Sequence, residues 1–464
     1  MWDSAKRGVF AQIIASTIVN TVLFMGGVSI GWGAPMIPRM TQPGNEPYLT
    51  SSQVSWVVGF MGVGNVAGAL MGGLFTDYLG RKRAQWFSLF PIILAYVLNI
   101  FVFDYGWLLF TRFLCGFSIA WSISVIPMYI GEIVEPRIRG LTNIISMSCM
   151  HLGTIYAYVL GPILNIDIFS IACAVPGICF APLFFLIPET PHQLLMQGDT
   201  EEARKSLTWL RGGADVTDEM EGLVKYIEQR KRNKKGIKEL LVKEGNRKGL
   251  IICLLLVLGL QANGSIVIQN YITAIFNYAG LNYSSNYSSI IIGITYYISS
   301  ILSMFIIDRI GRRTLLAVGS FIISIFLAMI AVFFHLRDIG YDVDNYLWVP
   351  IVGLFGYAIA VNVGVAGIPL IIRAEVFPPN VKAPANMVLV MWAGIVGSGI
   401  IKLFQVVDDN YGMYTIFYFF CVANMLLNVL VAVYMPETKG KTFEEIEIIL
   451  EKRKSISKSN LVED

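Results

Sequence analysis

The chain has 464 residues, of which 55% are hydrophobic and only 14% are charged, and its mean hydropathy is +0.63. A soluble domain cannot bury that much apolar surface, whereas lipid can solvate it. The net charge of +3 is too small to indicate a nucleic-acid partner.

Apolar segments of about 20 residues recur along the chain, and each is long enough to cross a hydrocarbon core of about 30 Å. We place them at 12–34, 54–75, 84–103, 107–131, 140–162, 168–187, 250–277, 288–307, 314–335, 346–373, 384–405 and 413–434. Six segments, a polar stretch and six more predict an all-α membrane protein with twelve transmembrane helices in two six-helix halves. The predicted parts are an N-terminal half (1–187), a linker (188–249), a C-terminal half (250–434) and a tail (435–464).

The polar linker at 188–249 contains helix signals of its own. "GDTEEARKSLTWLRGG" offers Asp199 or Thr200 as an N-cap, acidic residues in the first turn and a glycine stop. "TDEMEGLVKYIEQRKRNKKG" has acidic residues early and basic residues late, which complements a helix dipole. We expect two or three short amphipathic helices on the inner membrane surface. The alternative, a solvated basic linker, remains open.

The basic residues predict the orientation, because cytoplasmic loops near membrane helices are enriched in Lys and Arg. With the N-terminus inside, the inner segments hold 31 of the 35 basic residues. The exceptions are Arg39, Arg112, Arg337 and Lys402. Both termini are therefore expected to be cytoplasmic. No cleavable signal peptide is expected, since the first apolar run is too long.

Three charged signatures occur twice, in the same order. "DYLGRKR" and "DRIGRRT" place Asp77 and Asp308 231 residues apart, and both follow an apolar run. Glu132 and Glu375 each precede a basic residue by seven positions, after the fourth and tenth spans, and "PET" closes the sixth and twelfth. Three signatures in register indicate two homologous six-helix halves.

Ionisable groups within membrane spans are costly and mark functional candidates. The first helix has no acidic residue between Ser4 and Asn45, and no other span holds a carboxylate near its middle, which favours passive facilitation over proton coupling. Arg112 begins the fourth span, and Lys402 can extend its amine to the membrane surface. His151 is more often a satisfied interhelical hydrogen-bonding residue than a proton relay.

Enzyme chemistry is not indicated. The three histidines are scattered, no glycine-rich phosphate loop follows a strand, and no metal-ligand spacing occurs, so we expect no catalytic site, cofactor or metal. The six cysteines lie in apolar spans without C-x-x-C spacing, as packed core residues do.

The sequence resembles the sugar porter family of the major facilitator superfamily over nearly its whole length. The motifs that carry this resemblance are "DYLGRKR", "RFLCGFSIAWSISVIPMYIGEIVEPRIRG", "PETPHQLLMQGDTEEARKSLTWLRG", "DRIGRRT", "AEVFPPNVKA" and "PETKGKTFEEI". Within the family, "GWGAPMIPRM" is most similar to the insect facilitated trehalose transporter branch. The resemblance implies a plasma-membrane facilitator of a neutral sugar, trehalose or a hexose, whose central site opens alternately to each side.

The resemblance also implies that the seventh and tenth helices wall the sugar site. The family's seventh-helix signature reads "LQANGSI" here, so Gln261 remains, Asn263 replaces a Ser and Ile266 replaces an Asn. Asn362 stands where many hexose carriers place Glu, and Trp392 is kept. Gln269, Asn270 and Tyr296 partly compensate for lost polar groups, although the first two also suit helix–helix packing or an outward rim. The candidate substrate contacts are Gln261, Asn263, Gln269, Asn270, Tyr296, Asn362 and Trp392.

In families of this type, the repeated charges pair at the inner face and hold the two halves together while the site faces outward. The candidate inner gate comprises Asp77, Arg81, Glu132, Arg139, Asp308, Arg312, Glu375 and Lys382. Asn282 and Asn286 open Asn-x-Ser sequons in a loop assigned to the outside, which predicts glycosylation.

Two alternatives to sugar transport remain. One is a carrier of another polyol or small solute, because several sugar-reading positions are changed. The other is a transport-poor sugar sensor, which a tail of only 29 residues disfavours. The expected partners are a small neutral sugar and the lipid bilayer, with no nucleic acid; the sequence makes no prediction of oligomeric state.

Overall fold

The computed structural model describes the chain apart from residues 1, 45–46, 102–103, 233–236, 282–284, 308, 379–380, 436, 438, 440–444, 447–448 and 450–464. Twelve helical segments of the described part are long and apolar enough to cross a membrane. The twelve spans predicted from hydropathy are confirmed.

Seven helices and two 3₁₀ turns (Pro136–Ile138 and Ala181–Leu186) make up the first six spans in the described chain. Helices α1 and α2 share the first span, because the helix is interrupted at Trp32. The seven are α1 (Trp2–Gly31), α2 (Gly33–Thr41), α3 (Ser51–Leu79), α4 (Arg81–Phe101), α5 (Tyr105–Ile133), α6 (Arg139–Ile163) and α7 (Ile166–Phe180).

Local signals set several of these helix ends. Thr50 and Gln53 form a capping box at the start of α3, in which each side chain bonds the other's backbone N–H. The Asp104 carboxylate caps α5 by accepting from the Trp107 N–H at 3.1 Å. Gly80 ends α3 with φ +90°, a conformation that favours glycine.

The linker contains four helices among its described residues, rather than the two or three expected: α8 (Pro191–Gln197), α9 (Thr200–Leu210), α10 (Thr217–Arg232) and α11 (Ile237–Val242). Asp199, not Thr200, caps α9 by accepting from the Glu202 N–H. Leu195 of α8, Leu207 of α9 and Met220 of α10 pack in one buried apolar cluster. Burial of these apolar faces packs α8, α9 and α10 into a small helical bundle.

The last six spans contain eight described helices, because two of the spans are each interrupted by a break and consist of two helices. The helices are α12 (Glu244–Ala262), α13 (Ser265–Tyr278), α14 (Ser285–Ile307), α15 (Arg312–Asp338), α16 (Trp348–Val361), α17 (Ile368–Val376), α18 (Lys382–Tyr411) and α19 (Met413–Tyr434). The break between α12 and α13 lies at 263–264, and a π turn at Asn362–Ala366 separates α16 from α17. Such interruptions free backbone groups within a span and recur at functional sites.

The described residues form two compact units. Unit 1 comprises Met1–Asn233, Ile266–Ile301 and Gly394–Val406, and unit 2 comprises Lys234–Ser265, Leu302–Ala393 and Val407–Asp464. Two segments of the predicted second half, in α13–α14 and in α18, thus pack with the first-half helices in unit 1. The units therefore do not coincide with the two halves predicted from the sequence.

Candidate functional site

The break between α12 and α13 is organised by Asn263, in unit 2. Its Oδ1 accepts from the Ser265 N–H at 2.8 Å, and its backbone carbonyl accepts from the Tyr357 hydroxyl at 2.9 Å. Gly264 follows with φ +86°, and a Cβ there would lie 2.5 Å from the Phe420 ring. Asn263 is fully buried, and its Nδ2 has no hydrogen-bond partner among the described residues. The Asn263 Nδ2 is therefore an unused donor.

Gln261 and Trp392, also in unit 2, use their donors on neighbouring helices. The Gln261 Nε2 donates to the Ala393 carbonyl oxygen at 2.8 Å, and the Trp392 Nε1 donates to the Leu254 carbonyl oxygen at 3.1 Å. These two bonds run in opposite directions between α12 and α18. Both side chains thus link two helices of unit 2, whatever else they contact.

Asn362 begins the π turn in unit 2. Its Nδ2 donates to the Ala358 carbonyl oxygen at 3.1 Å, one turn earlier in α16. Within the turn, Gly364 approaches Gly319 of α15 so closely that a Cβ on either would lie 2.5 Å from the other's Cα. This approach of two backbones requires glycine at both positions.

The other three candidate substrate contacts belong to unit 1. Asn270 donates its Nδ2 to the Ile266 carbonyl oxygen at 2.8 Å, while its buried Oδ1 has no partner among the described residues. Asn270 also packs on Gly33, where a Cβ would lie 2.6 Å from its Oδ1. The backbone carbonyl of Gln269 accepts from the Tyr158 hydroxyl at 2.7 Å. Asn270 therefore presents an unused acceptor.

Tyr296 lies in α14 against His151 of α6. The two rings are stacked, with centroids 6.1 Å apart and an interplanar angle of 30°. Both residues are buried, and the Tyr296 hydroxyl has no hydrogen-bond partner among the described residues. The His151 ring nitrogens also form no hydrogen bond with the described residues, which differs from the satisfied histidine expected from sequence.

At one end of unit 1, the repeated charges form a cluster around Arg81. Its Nε lies 3.3 Å from the Glu132 Oε1, and its Nη1 donates to the Gln193 side-chain oxygen. Arg81 is only 1% exposed, so its charge depends on these neighbours for compensation. Thr190 donates its hydroxyl to the other Glu132 oxygen at 2.5 Å.

Unit 2 repeats this arrangement. The Arg312 Nη2 lies 3.3 Å from the Glu375 Oε1, the same separation as in the Arg81–Glu132 pair. The two ion pairs thus form within units, each between the helix that follows the duplicated turn and the helix that ends near the duplicated glutamate.

Two glutamates that were not among the predicted gate residues complete these clusters. Glu189 accepts from the Lys82 backbone N–H at 2.9 Å, and Glu437 accepts from the Arg312 and Arg313 backbone N–H groups at 2.9 and 3.1 Å. Each carboxylate therefore caps the N-terminus of a membrane helix, where the dipole favours negative charge. The signal was available, since both belong to the repeated "PET" motif.

The capping carboxylates explain the glycines of the duplicated turn. A Cβ on Gly80 would lie 2.5 Å from the Glu189 Oε2, and one on Gly311 would lie 2.5 Å from the Glu437 Oε2. Gly80 has a positive φ, whereas Gly311 has φ −63° and is required by close approach alone. Burial raises the pKa of Glu189, against the lowering effect of hydrogen bonds from the Lys82 and Thr190 backbone N–H groups.

The remaining gate and sequon candidates are less informative. Arg139 and Lys382 begin α6 and α18 with exposed side chains, and Asp77 lies in the last turns of α3. Asp308 and Asn282 lie outside the described residues, and Asn286 lies in the first turn of α14.

Helices α3 and α18 also make a contact within unit 1 that no sequence motif predicts. The Lys402 Nζ donates to the Ser52 Oγ at 2.9 Å and the Gln405 Oε1 at 2.6 Å, and it lies 5.4 Å from the centroid of the Trp56 ring. Deeper in the helices, the Ser398 Oγ donates to the Gly59 carbonyl oxygen at 2.7 Å. We call this contact the α3–α18 seam.

Glycines allow the seam to close. A Cβ on Gly62 would lie 2.2 Å from the Gly394 carbonyl oxygen, and a Cβ on Gly394 would lie 2.6 Å from the Gly62 carbonyl oxygen. Any larger residue would force the two helices apart. Small residues that allow such close backbone approach are typical of membrane helix interfaces.

Arg112 of α5 lies in the interior of unit 1. Its Nη1 donates to the Ser29 carbonyl oxygen at 3.1 Å, and its guanidinium stacks 4.6 Å from the centroid of the Trp32 ring. The cation is therefore compensated in part by a carbonyl dipole and an aromatic face.

Comparisons with known proteins agree on one class. Residues 15–450 match the profile of the family described as "Sugar (and other) transporter". The chain is 30% identical over 442 residues to the facilitated trehalose transporter Tret1 of Polypedilum vanderplanki, covering 95% of this chain and 88% of that one. It is also 30% identical to Tret1 of Drosophila pseudoobscura pseudoobscura, of which it spans about half (51%), with 95% of this chain covered.

Among solved structures, the chain is similar to the xylose transporter XylE from E. coli in a partially occluded inward-open conformation. The TM-score is 0.78 at 18% sequence identity, with 93% of this chain and 99% of that chain covered. The same transporter bound to 6-bromo-6-deoxy-D-glucose gives a TM-score of 0.75, also at 18% identity, with 96% and 100% covered. At such low identity the likeness shows a shared fold.

Proposed function

Because the chain belongs to the sugar (and other) transporter family, we propose that it is a facilitative carrier of a neutral sugar, either trehalose or a hexose. The family resemblance inferred from its motifs is confirmed, and the chain is a multi-pass membrane transporter with the major facilitator fold. Its curated relatives bear the name of facilitated transporters, not of enzymes.

The observation that carries this proposal is a set of buried polar atoms without protein partners. In unit 1, the Asn270 Oδ1 and the Tyr296 hydroxyl are both buried and have no hydrogen-bond partner among the described residues. An unmade hydrogen bond at a buried group costs about 1–3 kcal/mol, so such atoms are rarely left without a role. A sugar supplies hydroxyls that both donate and accept, so it can satisfy an amide oxygen as well as a tyrosine hydroxyl.

We further propose that the two charge clusters act as an inner gate, with the candidate set named from sequence as its members. Arg81–Glu132 and Arg312–Glu375 have matching geometry in the two units. In the proposed cycle, making or breaking these ion pairs shifts the equilibrium between the inward-open and outward-open states of the carrier. The excess of basic residues in the predicted inner segments supports a cytoplasmic location for each charge cluster and for both termini. We propose the plasma membrane as the location, as the family resemblance implies.

Transport is proposed to be passive. The first helix has no acidic residue between Ser4 and Asn45 that could carry a proton. A coupled carrier needs a titratable group whose protonation depends on substrate binding. The sugar would therefore equilibrate across the membrane rather than accumulate.

The test is uptake of labelled trehalose, glucose and a polyol panel by proteoliposomes containing the purified protein. We expect saturable sugar uptake that stops at the equilibrium level and is unchanged when an ionophore dissipates an imposed proton gradient. Empty liposomes and liposomes with Gly62→Trp, which cannot close the α3–α18 seam, are the controls. Accumulation above equilibrium that collapses with the ionophore would contradict passive transport.

A carrier of another polyol is the second candidate. It is favoured by one observation: Gln261 and Trp392 already donate to backbone carbonyls, which leaves fewer donors for a sugar. Uptake of a linear polyol at lower concentrations than any ring sugar would select this alternative.

A further inference from the structure

We propose that His151 and Tyr296 form a sugar subsite in which the imidazole hydrogen-bonds a substrate hydroxyl beside the Tyr296 hydroxyl. This inference rests on the proposed sugar transport. His151 was not among the contacts expected from sequence, because the family signatures do not assign it. Its position comes from the tertiary structure alone.

The pair joins two helices that are far apart in the sequence. His151 lies in α6 and Tyr296 in α14, and their rings stack with centroids 6.1 Å apart. Seven residues after His151, and hence on the same face of α6, Tyr158 donates its hydroxyl to the Gln269 carbonyl oxygen at 2.7 Å. A Cβ on Gly293, one turn before Tyr296, would lie 3.0 Å from the Tyr158 ring. These contacts hold α6 against α13 and α14.

The polar atoms of the pair are unused. A neutral imidazole has one N–H donor and one acceptor nitrogen, and a tyrosine hydroxyl can do both. Neither residue forms a hydrogen bond through its side chain with the described residues, although His151 is only 6% exposed and Tyr296 only 4%. Polar side chains this deeply buried normally have partners.

A polyhydroxylated ring fits this arrangement better than an apolar or a charged ligand. An apolar ligand would leave three polar atoms unpaired. A charged ligand would need an opposite charge, and neither ring is ionised in its ordinary state at neutral pH. A sugar supplies hydroxyls for the polar atoms and an apolar C–H face for the aromatic ring.

A second histidine–tyrosine pair provides the contrast. In unit 2, His335 stacks on Tyr414 with centroids 4.5 Å apart and an angle of 8°, and its Nδ1 lies 3.3 Å from the Tyr418 hydroxyl. This histidine has a protein partner for its ring nitrogen, so it needs no ligand. His335 is therefore the matched control for His151.

The experiment uses the full-length protein in proteoliposomes and compares His151→Phe, Tyr296→Phe, the double variant and His335→Phe. Each change keeps a ring of similar size and removes only polar atoms. We expect His151→Phe to raise the KM for the transported sugar about tenfold with a smaller change in Vmax, and His335→Phe to stay within about twofold of the wild type. The double variant should raise the KM by less than the product of the two single-variant factors, because the effects of substituting residues in contact are not additive.

A deoxy-sugar series identifies the hydroxyl. One deoxy analogue should be transported equally well by the wild type and His151→Phe, because it lacks the hydroxyl that the imidazole binds. Equal losses for every analogue would indicate altered packing and overturn the subsite. His151→Asn, which keeps a donor and an acceptor, should recover part of the affinity. If His151→Phe does not fold, the KM of the His151→Asn variant for the same deoxy-sugar series tests the subsite instead.

Thermal stabilisation of the detergent-solubilised protein by the same sugar separates the two levels of the proposal. If the His151→Phe variant transports the sugar with the same KM as the wild type, and the sugar stabilises both proteins equally, the subsite is overturned but sugar transport is not. Neither uptake nor stabilisation of the wild type by any sugar would overturn the proposed function, and the subsite with it.

Discussion

The Nζ atom of Lys402 in α18 donates a hydrogen bond of 2.9 Å to the Ser52 Oγ at the start of α3. The two residues are 350 positions apart in the chain, and the bond joins a helix of the second half to a helix of the first. Ser55 and Gln405 extend the contact through a 3.2 Å hydrogen bond. In a carrier that works by alternating access, such a contact at the predicted outer end must break for the site to open outward.

Lys402→Met should therefore favour the outward-open state. Removing the hydrogen bonds of one charged donor costs about 1.5–3 kcal/mol, which changes the equilibrium between the two states of the carrier about tenfold or more. Val54, which is buried in α3, offers a reporter: Val54→Cys should react faster with an impermeant thiol reagent in the Lys402→Met background. Lys205→Met, at an exposed pair with Glu202, is the control. Equal labelling rates in both backgrounds would show that the seam does not gate access.

Gln261→Ala should reduce sugar uptake at limiting concentration about tenfold or more. The variant lacks the Gln261 amide, which we propose binds or orients the substrate. A sugar hydroxyl is then left without a hydrogen-bond partner in the site. Initial rates at matched surface expression give the measurement. Asn428→Ala is the control, because the Asn428 Nδ2 likewise donates to a backbone carbonyl, that of Ala317, at 2.6 Å. If both variants lower thermal stability alike and leave the KM unchanged, Gln261 serves only to join α12 and α18.

Glu132→Gln and Glu375→Gln should both insert normally and shift the carrier in the same direction, towards the inward-open state. The reason is the matched geometry of their ion pairs, at 3.3 Å in each unit. We expect the larger shift for Glu132→Gln, since its partner Arg81 is 1% exposed and Arg312 is 11% exposed. Met147, a half-buried residue of α6, offers a reporter. The measurement is the labelling rate of Met147→Cys from the predicted cytoplasmic side, with Arg139→Ala tested in parallel. Unchanged labelling in all three variants would rule out a gate.

Glu135→Gln should remove a pH-dependent part of the stability. Burial acts to raise the pKa of Glu135, but hydrogen bonds from Gln12 and Arg137 and the charge of Arg211 hold the pKa below its ordinary value. Because the folded-state pKa is depressed, this contribution is present above the ordinary value of about 4.3 and is lost as the pH falls through the folded pKa. The difference in Tm between the wild type and Glu135→Gln should be constant from pH 5 to 7 and close at lower pH. A difference that does not change with pH would show that the charge of Glu135 has no effect.

The twelve spans, the internal repeat and the family could all be predicted from the amino-acid sequence. These follow from properties that neighbouring residues carry: hydropathy over about 20 positions, and short charged motifs whose spacing is fixed along the chain. The sequence also predicts Asp199 or Thr200 as the N-cap of α9, because a capping side chain lies within a few positions of the backbone N–H groups that it bonds.

Which polar groups have hydrogen-bond partners could not be predicted from the sequence and is seen only in the folded chain. The structure shows Gln261 bonded to Ala393, Glu189 and Glu437 capping helices, Lys402 reaching α3, and His151 beside Tyr296 with its nitrogens unused. Each of these facts depends on a partner more than 100 positions away in the chain. Local patterns predict that a residue is polar and buried, but a hydrogen bond is defined by distances of about 3 Å, which arise only when the helices pack.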